Sequence, residues 1–347
     1  MKLLKKNLAL LLALLLTLSL AGCGQKTDAA EEPDAPEVEE PAAPEETFDP
    51  ASYAVAALKG PTAMGLVKLM RDAENGETGG NTYEFTLAAA ADEVTPALIK
   101  GDLDMACVPA NLAATLYQKT EGEIVTLAVN TLGVIYIVEN GNAVASMADL
   151  AGQTLVAAGK GSTPEYALRY LLSENGVDPD SDVTIDWKSE HSECVSALAT
   201  GAATIALLPQ PFVTVAQGKI ESLRVALDLT EEWDALDNGS GLITGVVVAR
   251  KAVVEENPAA VDSFLEDYAA SVAWVNENPA DAARLIVDCG ILESATMAEK
   301  ALPYCNIVCI TGGEMREKLS GYLQVLFDAE PASVGGALPE DDFYYGA

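Results

Sequence analysis

Tyr53-Ala54-Val55-Ala56-Ala57-Leu58-Lys59-Gly60-Pro61-Thr62-Ala63-Met64-Gly65-Leu66-Val67-Lys68-Leu69-Met70 is the stretch on which the fold turns. Its first six residues form an apolar run of strand length. Gly60-Pro61 break that run, and Met64, Val67 and Met70 then recur at helical spacing. The reading is strand, tight loop, helix. The same unit recurs downstream: Tyr83 to Ala89 precedes a helix around Glu93 to Lys100, and Met105 to Val108 precedes Pro109-Ala110-Asn111 and a helix reaching Tyr117. Ile124 to Val129 adds another strand. Short apolar strands alternating with helices predict an α/β fold built on mainly parallel sheet.

After Thr131 to Val138 and the turn Asn140-Gly141-Asn142 the pattern restarts. Strands are expected at Thr154 to Ala158, Val183 to Trp187 and Thr204 to Leu208, with helices at Pro164 to Glu174 and Glu193 to Ala199 between them. Further strands follow at Leu223 to Leu227 and Leu242 to Ala249. The chain ends in helices, from Pro258 to Asn278, Ala280 to Asp288 and Glu314 to Phe327.

Upstream of this body the chain opens with Met1-Lys2-Leu3-Leu4-Lys5-Lys6, an apolar run from Leu8 to Leu16, and Leu20-Ala21-Gly22-Cys23. A basic start, an apolar segment too short to span a bilayer and small residues before a cut make a secretory signal. Leu-Ala-Gly-Cys resembles bacterial lipoprotein signals, in which the cysteine is lipidated and becomes the new N-terminus. Residues 1–22 are therefore expected to be removed, with Cys23 the lipid anchor on the outer face of the cell membrane. Residues 23–50 are rich in Ala, Pro, Glu and Asp, with no base from Asp28 to Asp49, and are expected to form an extended, self-repelling tether.

The formal net charge of −33 repels a phosphate backbone and argues against nucleic-acid binding. It leaves the sign of a small ligand open, because local dipoles dominate inside a cleft. Cys107, Cys194, Cys289, Cys305 and Cys309 show no disulfide framework and no Cys-x-x-Cys pair. Cys107 and Cys194 lie in apolar surroundings, and Cys305 and Cys309 are close enough in sequence to pair locally.

The ordered set of motifs resembles the nitrate/sulfonate/taurine and thiamine-precursor (pyrimidine) binding proteins of ABC importers, which have a type II periplasmic-binding-protein fold. The likeness rests on Leu58 to Thr62, on Gly101-Asp102-Leu103-Asp104-Met105-Ala106 and on Gly201 to Pro209. It is most specific at Val246 to Arg250 with Glu256 to Val261, at Trp274 to Pro279 and in the ending Gly335 to Tyr345. The resemblance implies two lobes, each a mainly parallel sheet flanked by helices. Two crossings near residues 133–142 and 239–247 would divide the chain into lobe I, residues 51–134 plus 245–347, and lobe II, residues 135–244. It implies a monomer that captures a small polar or anionic organic molecule and delivers it to the permease subunits of an ABC importer, without a cofactor.

In an open α/β sheet, ligands bind beyond the carboxyl ends of strands, where loops lead into helix starts. Three such loops carry residues suited to capping. Thr62 follows Lys59, Gly60 and Pro61; Asn111 follows Pro109; and Gly161, Ser162 and Thr163 precede Pro164, with Glu165 at capping-box spacing from Ser162. Gln210 sits between Pro209 and Pro211, able to donate and accept, and Thr244 lies in the second crossing. Lys59 and Lys160 are positioned to meet an anionic group.

Enzymatic chemistry has little to build on. His191 is the only histidine, no Gly-x-Ser-x-Gly elbow accompanies it, and its neighbours Ser189, Glu190 and Ser192 make it a surface residue at a helix start. One histidine with scattered cysteines gives no metal-ligand set. Gly159-Lys160-Gly161-Ser162-Thr163-Pro164 fails as a nucleotide loop, because Pro164 and Thr154 stand where glycines are needed. Asp102 with Asp104, and Asp341 with Asp342, read as loop and cap residues. An enzyme on the same fold acting on a pyrimidine-type molecule, and a ligand-sensing receptor, remain the alternatives, since fold does not fix function.

Overall fold

The structure is a computed structural model and describes residues 48–347; the signal segment, Cys23 and the tether up to residue 47 lie outside the described residues. The first half of the body runs β1 (Ser52–Leu58), α1 (Pro61–Met64), α2 (Val67–Asn75), β2 (Thr82–Ala88), α3 (Ala91–Lys100), β3 (Met105–Pro109), α4 (Ala110–Lys119) and β4 (Ile124–Leu132). Next come β5 (Ile135–Glu139), β6 (Thr154–Ala158), α5 (Thr163–Glu174), β7 (Thr184–Lys188), α6 (His191–Ala199), β8 (Ile205–Pro209), α7 (Phe212–Lys219), β9 (Arg224–Asp228) and α8 (Leu229–Asp234). The chain closes with β10 (Ile243–Arg250), α9 (Lys251–Glu256), α10 (Pro258–Glu277), α11 (Pro279–Asp288), α12 (Ala295–Ala301), β11 (Ile307–Ile310) and α13 (Gly312–Ala329).

Two sheets result, in the orders β11-β4-β10-β3-β1-β2 and β7-β6-β8-β5-β9. The strand-helix-strand units pair in parallel, β1 with β2 and β3, and β6 with β7 and β8. The strands that carry the chain between sheets pair antiparallel: β10 with β3 and β4, and β5 with β8 and β9. Both sheets are therefore mixed. The alternation of strands and helices shows the parallel part, whereas a strand that must travel back along its sheet leaves no mark in that alternation.

These pairings fix where the strands point. β4 runs with β1 and β3 and leads directly into β5 of the other sheet. β5 runs against β8 and β9, so the carboxyl ends of β6, β7, β8 and β9 point back toward the first sheet. The loops after β1, β3, β6 and β8 are thus aimed at one another across the crossings.

Strands β4, β5 and β8, mostly apolar, are almost wholly buried, as strands covered on both faces should be. One buried cluster passes through both sheets, from Val246 and Val129 through Met315 and Tyr322 of α13 to Trp233, Leu171 and Leu155. Trp233 of α8 packs 5.4 Å from Tyr322 and 4.8 Å from Tyr170, ring centre to ring centre. A second cluster lies under α2, α10, α11 and α12, and a third covers the outer side of the five-stranded sheet. The long α10 starts as its sequence requires: Pro258 occupies the first turn and the Asn257 side chain accepts from the Ala260 N–H at 3.1 Å.

The aspartates read as loop and cap residues make structural pairs. Asp104 accepts from the Ala54 N–H and from Arg250 at 2.7 Å, and Asp342 accepts from the Tyr117 hydroxyl at 2.6 Å and from Lys251 at 2.9 Å. Cys305 and Cys309 are both free thiols, and burial pushes them up to about 12 and about 11. No helix among the described residues is long and apolar enough to cross a membrane.

Candidate ligand-binding cleft

Each loop aimed across the crossings brings a polar side chain to the same place. Asn111, in the first turn of α4, donates through Nδ2 to the Ser333 carbonyl at 3.0 Å and to the Gly161 carbonyl at 3.4 Å. Thr163, the first residue of α5, places its hydroxyl 3.4 Å from both Asn111 Oδ1 and the Thr244 carbonyl. Residues from the six-stranded sheet, the five-stranded sheet and the returning crossing strand thus meet directly.

Thr62 sits beside them. Its carbonyl accepts from Asn130 Nδ2 at 3.3 Å, and Thr131 donates to Asn130 Oδ1 at 2.9 Å. Gly245 makes this approach possible: a Cβ there would lie 2.5 Å from Thr62 Cγ2 and 2.6 Å from Asn130 Oδ1, where no side chain fits. Gln210 is buried at the start of α7, and its Oε1 accepts from the Thr214 hydroxyl at 2.9 Å and N–H at 3.3 Å. Pro109 ends β3 and Pro209 ends β8, so both lie at the strand ends facing the crossings.

All these donors and acceptors are uncharged, and nearly all are sealed from water: Thr163 is 0% exposed, Asn111 1% and Thr244 8%. The Thr244 hydroxyl has no hydrogen-bond partner among the described residues. A buried hydroxyl without a partner costs about 1–3 kcal/mol, and this one lies beside Thr163 and Asn111. Two open surface concavities lie elsewhere, one beside Arg169 and Glu330 and one beside Asp237 and Glu317. The sealed cluster is the better candidate, because a protein that shuts around a ligand hides its donors when closed.

Several residues behave differently from their sequence reading. Ser162 does not cap α5: its hydroxyl donates to the Gly159 carbonyl at 2.7 Å, and Glu165 accepts from the Gly161 N–H at 2.6 Å. Gly161, in the left-handed conformation, turns the loop so that its own N–H meets Glu165 in place of the Ser162 N–H. Thr62 does not cap α1 either, since its hydroxyl donates back to the Leu58 carbonyl at 3.1 Å. Lys59 is exposed, while Gly60 and Pro61 beside it are buried.

His191 is not a surface residue: it is half-buried, its ring 5.2 Å from that of Phe212, with Nδ1 buried and without a partner among the described residues. Burial pushes its pKa down to about 4. Asn130 and Thr131, which the sequence reading missed, are polar residues interrupting the apolar strand from Ile124, and that interruption was the available signal.

Residues 75–288 match the family of periplasmic substrate-binding proteins of phosphonate ABC transporters. No curated protein matches the chain. Among solved structures, an ABC transporter protein from Parabacteroides distasonis is similar at a TM-score of 0.70 and 24% identity, over 84% of this chain and 98% of that one. The periplasmic aliphatic sulphonate-binding protein of Escherichia coli is similar at 0.65 and 17% identity, over 83% and 91%. The periplasmic nitrate-binding protein of Synechocystis PCC 6803 is similar at 0.55 and 15% identity, over 70% and 67%. These likenesses show the fold, two α/β lobes of a periplasmic binding protein. Because the family match spans more than half of its length, the chain belongs to the periplasmic substrate-binding family of ABC transporters, whose members work outside the cytoplasm with a small-molecule ligand and an importer's permease subunits.

Proposed function

We propose that this protein closes two lobes, residues 51–134 plus 245–347 and residues 135–244, on a small polar or anionic organic molecule and passes it unaltered to an ABC permease. The observation that carries the reading is the meeting of Asn111, Thr163 and Thr244 in a sealed, uncharged polar cluster that leaves the Thr244 hydroxyl free. Neutral hydroxyls, amides and the N–H groups of helix starts hold an oxyanion without a counter-ion. Phosphonate in the family's description, and sulphonate and nitrate in the neighbours', are ligands of that kind.

The ligand-contacting set we assign is Lys59, Gly60, Pro61, Thr62, Pro109, Asn111, Gly161, Ser162, Thr163, Pro209, Gln210 and Thr244. A monomer tethered through a lipidated Cys23 at the cell surface or in the periplasm completes the reading, supported by the Leu-Ala-Gly-Cys sequence and the acidic segment after it. The family's role supports reading the protein as a carrier rather than an enzyme. Mass spectrometry of the molecule that accompanies the gently purified protein tests the proposal. A small polar compound that leaves unchanged supports it, and a compound returned chemically altered overturns it. Membrane fractionation of Cys23→Ser tests the anchor: the protein is expected in the soluble fraction, and unchanged membrane attachment refutes lipidation.

A further inference from the structure

The two strands that reach the crossings, β4 and β10, lie side by side, and their ladder is irregular where it meets them. Ile243 pairs with Leu132 and Gly245 with Thr131, so Thr244 has no opposite residue on β4. Val246 then pairs with Val129, so Asn130 has no opposite residue on β10. The Ile243–Leu132 and Val246–Val129 pairs share one register, and the Gly245–Thr131 pair between them is slipped out of it. Two opposed β-bulges therefore sit back to back at the crossing. The residue that each leaves over is polar and buried, Asn130 being 1% exposed and Thr244 8%.

A bulge takes one residue out of the ladder and re-aims its side chain. Each of these two residues is joined to a helix start at the cleft. Asn130 donates through Nδ2 to the Thr62 carbonyl at 3.3 Å, in the short α1 that follows β1. On the other strand, the Thr244 carbonyl accepts from the Thr163 hydroxyl at the start of α5, 3.4 Å away. One bulge thus serves the β1–α1 loop and the other the β6–α5 loop. The Asn130 amide is itself held from behind, because the neighbouring Thr131 hydroxyl donates to its Oδ1 at 2.9 Å and leaves the N–H end for Thr62. Gly245, between the bulges, keeps the space open: a Cβ there would lie 2.5 Å from Thr62 Cγ2 and 2.6 Å from Asn130 Oδ1. The α1 start therefore rests on the crossing strand through the Asn130 amide.

We propose that Asn130 is a positioning residue that ties the β1–α1 ligand loop to the lobe crossing, so that the register of the two crossing strands sets where Gly60, Pro61 and Thr62 stand in the cleft. Losing the amide leaves the Thr62 carbonyl buried without this donor and the α1 start free to drift. Loosening of that kind is local: it raises the exchange of nearby backbone amides and leaves distant elements as they were. The part of this inference that concerns the ligand rests on the cleft reading above.

The test is hydrogen exchange of the full mature chain, beside calorimetric titration with ethylphosphonate, for wild type, Asn130→Ala and Thr131→Val. Asn130→Ala should speed exchange of the amides from Ala63 to Val67 about tenfold and leave those of α3 and α6 as in wild type, whereas a general loss of stability speeds all of them. Thr131→Val keeps the shape and removes the hydroxyl that orients the amide. It should loosen the same amides by less, and it stands in if Asn130→Ala does not fold. Both variants should bind ethylphosphonate more weakly, Asn130→Ala by about tenfold. Wild-type exchange from Ala63 to Val67 in every variant that folds, or an equal rise in α3 and α6, overturns the positioning role and leaves the cleft standing. Faster local exchange with unchanged ethylphosphonate affinity, or a wild type that does not bind ethylphosphonate, overturns the cleft reading and the positioning of ligand with it.

Discussion

The Thr163 hydroxyl lies 3.4 Å from Asn111 Oδ1, although the two residues are 52 positions apart and open helices that follow strands of different sheets. A polar contact of this kind ties one half of the molecule to the other without any charge. It exists only when the loops after β3 and β6 are brought together. Removing the Thr163 hydroxyl leaves Asn111 Oδ1 buried without this donor, which is the costlier way to lose a hydrogen bond, whereas Thr163 keeps the Thr244 carbonyl if Asn111 is removed.

Thr163→Val, which keeps the shape and removes the hydroxyl, is therefore expected to weaken binding of the co-purified ligand about five- to a hundred-fold, from a loss of ~1–3 kcal/mol. Asn111→Ala should do the same. Isothermal titration gives the affinity, and melting of the unliganded protein separates binding from lost stability. Wild-type affinity in both variants contradicts the placement of the cleft.

On the opposite rim, α7 meets α12. A Cβ at Gly218 would lie 2.8 Å from Met297 Cε and 2.9 Å from its sulfur. Met297 is flexible and yields to a methyl group, but Gly218→Phe is expected to wedge the two helices apart and disfavour the shut form. Small-angle scattering should then show a larger radius of gyration in the presence of ligand, with weakened binding. The same compact form in variant and wild type would show that this contact does not accompany closure.

How far the sequence shows these features differs between fold and cleft. The run from Tyr53 to Met70 reads as strand, loop and helix because its apolar period changes from strand to helix within a few residues, and the structure has β1, α1 and α2 there. Helices α10, α11 and α13 are long enough for periodicity to show. By contrast, α8 and β11 are short and take their stability from distant partners, as when Trp233 of α8 packs against Tyr170 and Tyr322. Within the cleft, strand ends point to Thr62, Asn111, Thr163 and Gln210. Their actual hydrogen bonds were not legible, because Ser162 and Glu165 find partners through the left-handed turn at Gly161 and not through sequence spacing.

Gly245 shows how tightly the crossing strand sits against α1. Gly245→Ala places a methyl group against Thr62 and Asn130, both buried, and is expected to cost about 1–3 kcal/mol of stability, read by urea denaturation. Ligand affinity should fall with it, because Thr62 must move. A stability equal to wild type would contradict the close approach.

His191 gives the fold a pH dependence of known sign. Burial holds its pKa near 4 in the folded protein, below the ordinary value of 6.5. Between those values the unfolded chain binds the extra proton and the folded chain does not, so stability falls as pH drops through this window. Glu139 adds to the loss at lower pH. Its burial opposes the charge, but the Ala143 and Val144 N–H groups and Arg224 hold its pKa below the ordinary 4.5. His191→Phe, which keeps the packing on Phe212, should flatten the dependence between about pH 6.5 and pH 5. Parallel stability curves for variant and wild type in that range would refute the assignment.

The central claim is that one small molecule is held, unaltered, where Asn111, Thr163 and Thr244 meet. Native mass spectrometry of the gently purified wild type, beside Asn111→Ala, Thr163→Val and Thr244→Val, tests it most directly. The account predicts one bound small polar molecule on the wild type, released with its mass and chemistry unchanged, and reduced occupancy in all three variants. Full occupancy in all three, or a wild type that carries and binds no small molecule, would contradict it.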